Sequence, residues 1–72
     1  MNKEEFIEKL EDILQTEESL KEDTTLEDLE EWDSLAKMSL AAFYSGHFSK
    51  NITLQDFKGL KTVRDLIDLA GI

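Results

Sequence analysis

Residues 32–46 read Trp-Asp-Ser-Leu-Ala-Lys-Met-Ser-Leu-Ala-Ala-Phe-Tyr-Ser-Gly. The tetrad Trp32-Asp33-Ser34-Leu35 ends an acidic, loop-like stretch and opens the most apolar segment of the chain. From Ser34 onward the residues are good helix formers, apolar over a wide arc, which predicts a central and best-buried helix. Gly46 is its expected stop, because glycine accepts the left-handed conformation common just beyond a helix. Asp33 and Ser34 are both favoured cap types, so the pair either caps this helix or presents a hydroxyl at its entrance. Trp32 before and Leu35 after are expected to hold Ser34 in place with its oxygen exposed.

Upstream, Phe6, Ile7, Leu10, Ile13 and Leu14 recur at helical spacing over residues 3–15. Glu4, Glu5, Glu8, Lys9, Glu11 and Asp12 are expected to turn outward from that helix. From Thr16 to Glu31 the apolar residues thin to Leu20, Leu26 and Leu29. That predicts a loop of about 15 residues, long for a helical domain, pinned across the helices by the three leucines. Downstream, Thr53 with Asp56 and Thr62 with Asp65 repeat a helix-start signal, a small hydroxyl followed three residues later by a carboxylate. The first opens a short helix within Thr53–Leu60, limited by Gly59. The second opens a closing amphipathic helix through Val63, Leu66, Ile67, Leu69 and Ala70, ended by Gly71. The order is long helix, long loop, central helix, short helix, last helix, with no repeat or linker between them.

Charge narrows the partners. Eight basic residues face 17 acidic ones, a formal net of −9. The imbalance lies in the first 33 residues, which carry −11, while residues 34–72 carry +2. Such an acidic half repels nucleic-acid backbones and anionic lipids and steers basic protein surfaces toward itself. Cysteine and proline are absent, so neither disulfides nor a cysteine-based zinc site supports the core, and helix packing must hold a thin stability margin. No apolar run reaches the roughly 20 residues a bilayer span needs, and Met1-Asn2-Lys3-Glu4-Glu5 lacks the apolar core of a secretion signal. The expectation is a cytoplasmic monomer without nucleic-acid binding or stable membrane insertion.

Few side chains here suit catalysis. His47 is the sole histidine, with no second ligand nearby in sequence, and is read as helix termination or packing. One histidine and no cysteine build neither a nucleophile triad nor a metal cluster. Trp32 is read as packing against loop or core, Met38 as core filler or exposed contact. Phe43, Tyr44, Phe48 and Phe57 are core candidates. Two functions stand at this point: an attachment site at Ser34, or an acidic helical protein-interaction module in which Asp33-Ser34 is only a cap.

With Leu29 upstream, Asp33-Ser34-Leu35 opening the apolar helix, a short helix after it and a closing helix at Val63–Leu69, the chain resembles the acyl carrier and peptidyl carrier proteins. Their signature is an Asp-Ser-Leu triplet at the start of the second long helix, and the likeness in element order and acidity covers nearly all 72 residues. The resemblance implies an all-α, four-helix acyl-carrier-like bundle, three longer helices plus one short helix with a long first loop, in a single domain over 1–72. It implies no enzymatic activity of its own. Ser34 would carry covalent 4′-phosphopantetheine, donated from coenzyme A by a magnesium-dependent phosphopantetheinyl transferase. The arm's thiol would hold acyl or aminoacyl groups as thioesters, loaded by a ligase and passed to downstream transferases. Asp33 would fix the local turn and help position that chemistry, and Leu35 would hold the adjoining backbone and contact the transferase. Fatty-acid carriers usually place acidic residues where this chain has Ala36 and Ser39. Docking is therefore expected from Asp28, Glu30, Glu31, Trp32, Lys37 and Met38, and the departure, with Trp32 in place of a common glycine, favours a specialised pathway.

Overall fold

Each helix begins where a side chain accepts a backbone N–H at its entrance. A computed structural model describes residues 1–72. Helix α1 spans Lys3–Leu14; its cap is Asn2, whose Oδ1 accepts the Glu5 N–H at 2.8 Å while Glu5 Oε1 accepts the Asn2 N–H at 3.2 Å. Such reciprocal caps satisfy two otherwise orphaned donors. Helix α2 spans Ser34–Phe48, α3 Leu54–Phe57 and α4 Val63–Ala70. At α3 the Asp56 carboxylate accepts the Thr53 N–H at 2.8 Å. At α4 the Asp65 carboxylate accepts the N–H groups of Lys61 and Thr62 at 2.8 and 3.1 Å. The backbone hydrogen bond from Lys61, then that from Thr62, holds the Asp65 carboxyl below the usual carboxylate range. The architecture is the all-α bundle of three longer helices and one short helix, with a long first loop.

One boundary differs from the sequence reading. Gly46 does not end α2, which runs on to Phe48 and stops at Ser49 in the left-handed region at φ 54°. A glycine inside a helix costs about 1 kcal/mol, and Phe48 supplies the reason to continue: its ring packs 6.3 Å from Phe6 and 5.7 Å from Phe43. His47 accordingly lies in the last turn, stacked on Phe43 at 5.2 Å, rather than terminating the helix. Helix α3 is a single turn that ends before Gly59. Gly71 does close α4, at φ 81°.

The long loop is stitched to the bundle by backbone bonds. Leu20, Leu26 and Leu29 are all buried. A 3-10 turn over Leu26–Asp28 carries the middle of the loop. Thr25 and Thr62 form an isolated antiparallel bridge, with the Leu26 N–H donating to Lys61 O at 2.8 Å and the Val63 N–H to Thr24 O at 3.1 Å. Glu11 does not simply face water as expected: half-buried, its Oε2 accepts the Leu20 N–H at 2.8 Å. Helix α1 therefore holds the loop with both a carboxylate and an apolar face. The Cα radius of gyration, 10.8 Å, sits near the roughly 11 Å of a compact chain this long, so the loop lies against the helices.

The core joins Phe6, Leu10 and Leu14 of α1 to Leu40 and Tyr44 of α2, Phe57 of α3, and Val63, Leu66 and Ile67 of α4. The Tyr44 hydroxyl donates to the Leu66 carbonyl, so the largest buried side chain satisfies its polar end inside the protein. Burial pushes that phenol well above its ordinary pKa of 10.0. Phe43 and Phe48 are half-buried rather than fully core. Nor is α2 the best-buried helix. It buries Ala36, Leu40 and Tyr44 from fifteen residues, whereas α4 buries Val63, Leu66, Ile67 and Ala70 from eight. The apolar surplus of α2 is on its outer surface.

Candidate functional site

That surplus gathers around Ser34. Asp33 has extended backbone, φ −123° and ψ −177°, and its Oδ1 accepts the Ala36 N–H at 2.9 Å. Its carbonyl accepts the Lys37 N–H at 3.0 Å, starting the helical ladder. Capping is thus the work of Asp33. Ser34, the first residue of α2, is exposed, and its hydroxyl takes part in none of the fold's hydrogen bonds. The two side chains that sequence leaves interchangeable have separate positions.

The amides at this helix entrance are also free. The N–H groups of Ser34 and Leu35 donate to no group of the protein, whereas at α4 the Val63 and Arg64 N–H groups are taken by the carbonyls of Thr24 and Glu22, at 3.1 and 2.8 Å. Unpaired amides and the positive end of the helix dipole favour an anion by about 0.3–1 kcal/mol at an exposed site. A phosphodiester on the Ser34 oxygen fits that field and meets no covering side chain. Beside it, between the end of α1 and the first turns of α2, a cleft of about 240 Å³ is bordered by Asp33 and Leu35, the chain neighbours of Ser34.

Leu35 corrects an expectation. It anchors nothing; at 72 % exposure it is the most exposed large apolar side chain, and Ala36 beside it is the one that packs inward. Met38 is 56 % exposed on the same helix, which places it at the surface. Leu54 of α3, at 42 %, joins this set, although its helical spacing with Phe57 gives no hint of exposure. Trp32 is half-buried, with its ring edge-on to Phe57 at 5.8 Å, as a packing residue would be. Lys37 Nζ stands 5.4 Å from the Trp32 ring centre, so the cation covers the aromatic face. Asp28 and Glu30 are exposed, and half-buried Glu31 lines the cleft. The six expected docking residues therefore divide into two free carboxylates, one free methionine and three side chains already engaged in local packing or the cleft.

No three His, Cys, Asp or Glu side chains group as a metal site, and no helix is long and apolar enough to cross a membrane. No curated protein and no solved structure matches the chain. The family model described as "Phosphopantetheine attachment site" matches residues 4–70. Members of that family are carrier domains and not catalytic enzymes. With the matched segment running from the first turn of α1 to the end of α4, the chain belongs to the phosphopantetheine-binding carrier family.

Proposed function

We propose that residues 1–72 act as one carrier domain in which Ser34 accepts 4′-phosphopantetheine. The observation that carries this reading is the division of labour at the start of α2: Asp33 caps the helix, and the Ser34 hydroxyl is left exposed and unengaged. In the attachment step Ser34 Oγ forms a P–O bond to the phosphopantetheine phosphorus. The pyrophosphate bond of coenzyme A breaks to release 3′,5′-ADP, and the hydroxyl proton leaves to a base of the phosphopantetheinyl transferase. Asp33 holds the backbone through the Ala36 amide, so Ser34 meets the transferase in a fixed orientation. The arm's terminal thiol supplies the chemistry the chain lacks, holding acyl or aminoacyl cargo as a thioester.

Surface recognition then selects the enzymes, with charge setting encounter and register. Asp28 and Glu30 offer exposed carboxylates to a basic partner, and the exposed Leu35, Met38 and Leu54 offer apolar contacts. Trp32 and Lys37 act together as one packed pair. The acidic positions usual in fatty-acid carriers are here Ala36 and Ser39, which supports a ligase-loaded carrier of a specialised cytoplasmic pathway. The test is co-expression with a phosphopantetheinyl transferase and coenzyme A, followed by intact-mass measurement. Wild type gains one phosphopantetheine and Ser34→Ala gains none; an unmodified wild type would return the chain to the plain interaction-module reading.

A further inference from the structure

The cleft beside Ser34 has a composition of its own. Its apolar side is built by Ile13 and Leu14 from the last turn of α1 and by Ala36 from α2. Gln15, Glu31 and Ser39 add an amide, a carboxylate and a hydroxyl, and none of these three side chains is used by another hydrogen bond of the fold. Gln15 is held at this edge by its left-handed backbone, φ 55°, which ends α1 there. A cleft of about 240 Å³ falls short of the roughly 300–1,000 Å³ that encloses a drug-sized ligand. It suits a narrow, flexible segment lying along the surface.

We propose that this cleft is the resting place of the uncharged pantetheine segment of the arm on Ser34. The inference rests on Ser34 bearing that arm and adds where the arm lies between encounters. Pantetheine carries two amides and a geminal dimethyl group. Its amide N–H groups find acceptors in Glu31 and Ser39, its carbonyls find a donor in Gln15, and its methyls find Ile13, Leu14 and Ala36. The phosphate stays outside, because Glu31 and Asp33 repel it and the free amides of Ser34 and Leu35 favour it at the helix entrance. On the opposite side, between the approach to α2 and helix α3, Trp32 is packed edge-on against Phe57 with Lys37 over its face, and no cleft opens there. Because the arm begins at a residue flanked by two cleft-lining neighbours, its effective concentration there is on the order of millimolar. Even weak contacts then keep it docked much of the time.

The test uses the full chain, isotope-labelled, in its apo form and after loading, with the loaded state established by mass. The expected result is a set of nuclear Overhauser contacts from the pantetheine dimethyl protons to the methyls of Ile13, Leu14 and Ala36, with amide shifts at Gln15 and Ser39. Ser39→Phe, at an exposed position, fills the cleft and should abolish those contacts on the loaded protein. A mass gain at Ser34 with shifts confined to Asp33–Lys37 and no contacts to α1 overturns the cleft while leaving the carrier reading intact. Absence of the mass gain, or its appearance at another residue, overturns both. Contacts that persist unchanged in Ser39→Phe also reject this cleft as their origin.

Discussion

Asp33→Ala and Ser34→Ala should part company in stability although the residues are adjacent. Asp33 Oδ1 accepts the Ala36 N–H at 2.9 Å, and its carboxylate lies at the positive end of α2. Loss of an N-cap costs about 1 kcal/mol, within a range of roughly 0.5–2, and loss of the charge removes about 0.3–1 kcal/mol more at low salt. Asp33→Ala should therefore destabilise by about 1–2 kcal/mol, lowering Tm by roughly 4–16 °C for a domain of this size. Asp33→Asn keeps an acceptor without the charge and should fall between, its deficit shrinking as salt screens the dipole. Ser34→Ala removes a hydroxyl that touches nothing and should stay within about 0.5 kcal/mol of wild type. The assay is urea and thermal unfolding of the apo proteins followed by circular dichroism, with equal m-values required for the comparison. If Ser34→Ala loses as much stability as Asp33→Ala, Ser34 is the cap and the division of labour at this helix is wrong.

Three further outcomes follow from the core and the caps. Tyr44→Phe removes the buried bond to the Leu66 carbonyl and should cost about 1 kcal/mol at neutral pH. The raised phenol pKa stabilises the fold fully below the unfolded value of about 10, and that contribution is lost as pH rises above it; urea midpoints at alkaline pH should fall more steeply for wild type than for Tyr44→Phe. Asp65 has the opposite sign: its lowered pKa gives stability that is present above the unfolded value of about 4 and lost as pH falls through the folded value. An acid titration should therefore show a shallower loss in Asp65→Asn, which starts less stable. In amide exchange, the single turn Leu54–Phe57 should exchange faster than the middle of α2, and slower exchange there would count against its local weakness.

What the sequence discloses about this fold is mostly local chemistry. Thr53 with Asp56 and Thr62 with Asp65 mark helix starts because the bonds they make span only three residues. Gly71 marks an end because its backbone needs φ 81°. The stop at Gln15 showed in the end of the apolar periodicity, but that at Ser49 was hidden, since Ser49 takes left-handed backbone without being glycine. Gly46 misled in the other direction, because the packing of Phe48 outweighed a local preference. The Glu11 bond to Leu20 and the Thr25–Thr62 bridge join residues 9 and 37 positions apart, beyond any periodic pattern. At the site, the Asp33-Ser34-Leu35 triplet was legible, but the orientation of Leu35 was not. An apolar arc wider than the surface it packs against must leave part of itself in water, and only the tertiary arrangement decides which part.

The central claim is a covalent bond at one oxygen. Fragmentation of the transferase-treated chain, mapping the added mass residue by residue across Glu31–Gly46, decides it. The expected result is the whole of the phosphopantetheine mass on Ser34 and none on Ser39 or Ser45; modification at either of those serines, or at none, would contradict attachment at Ser34.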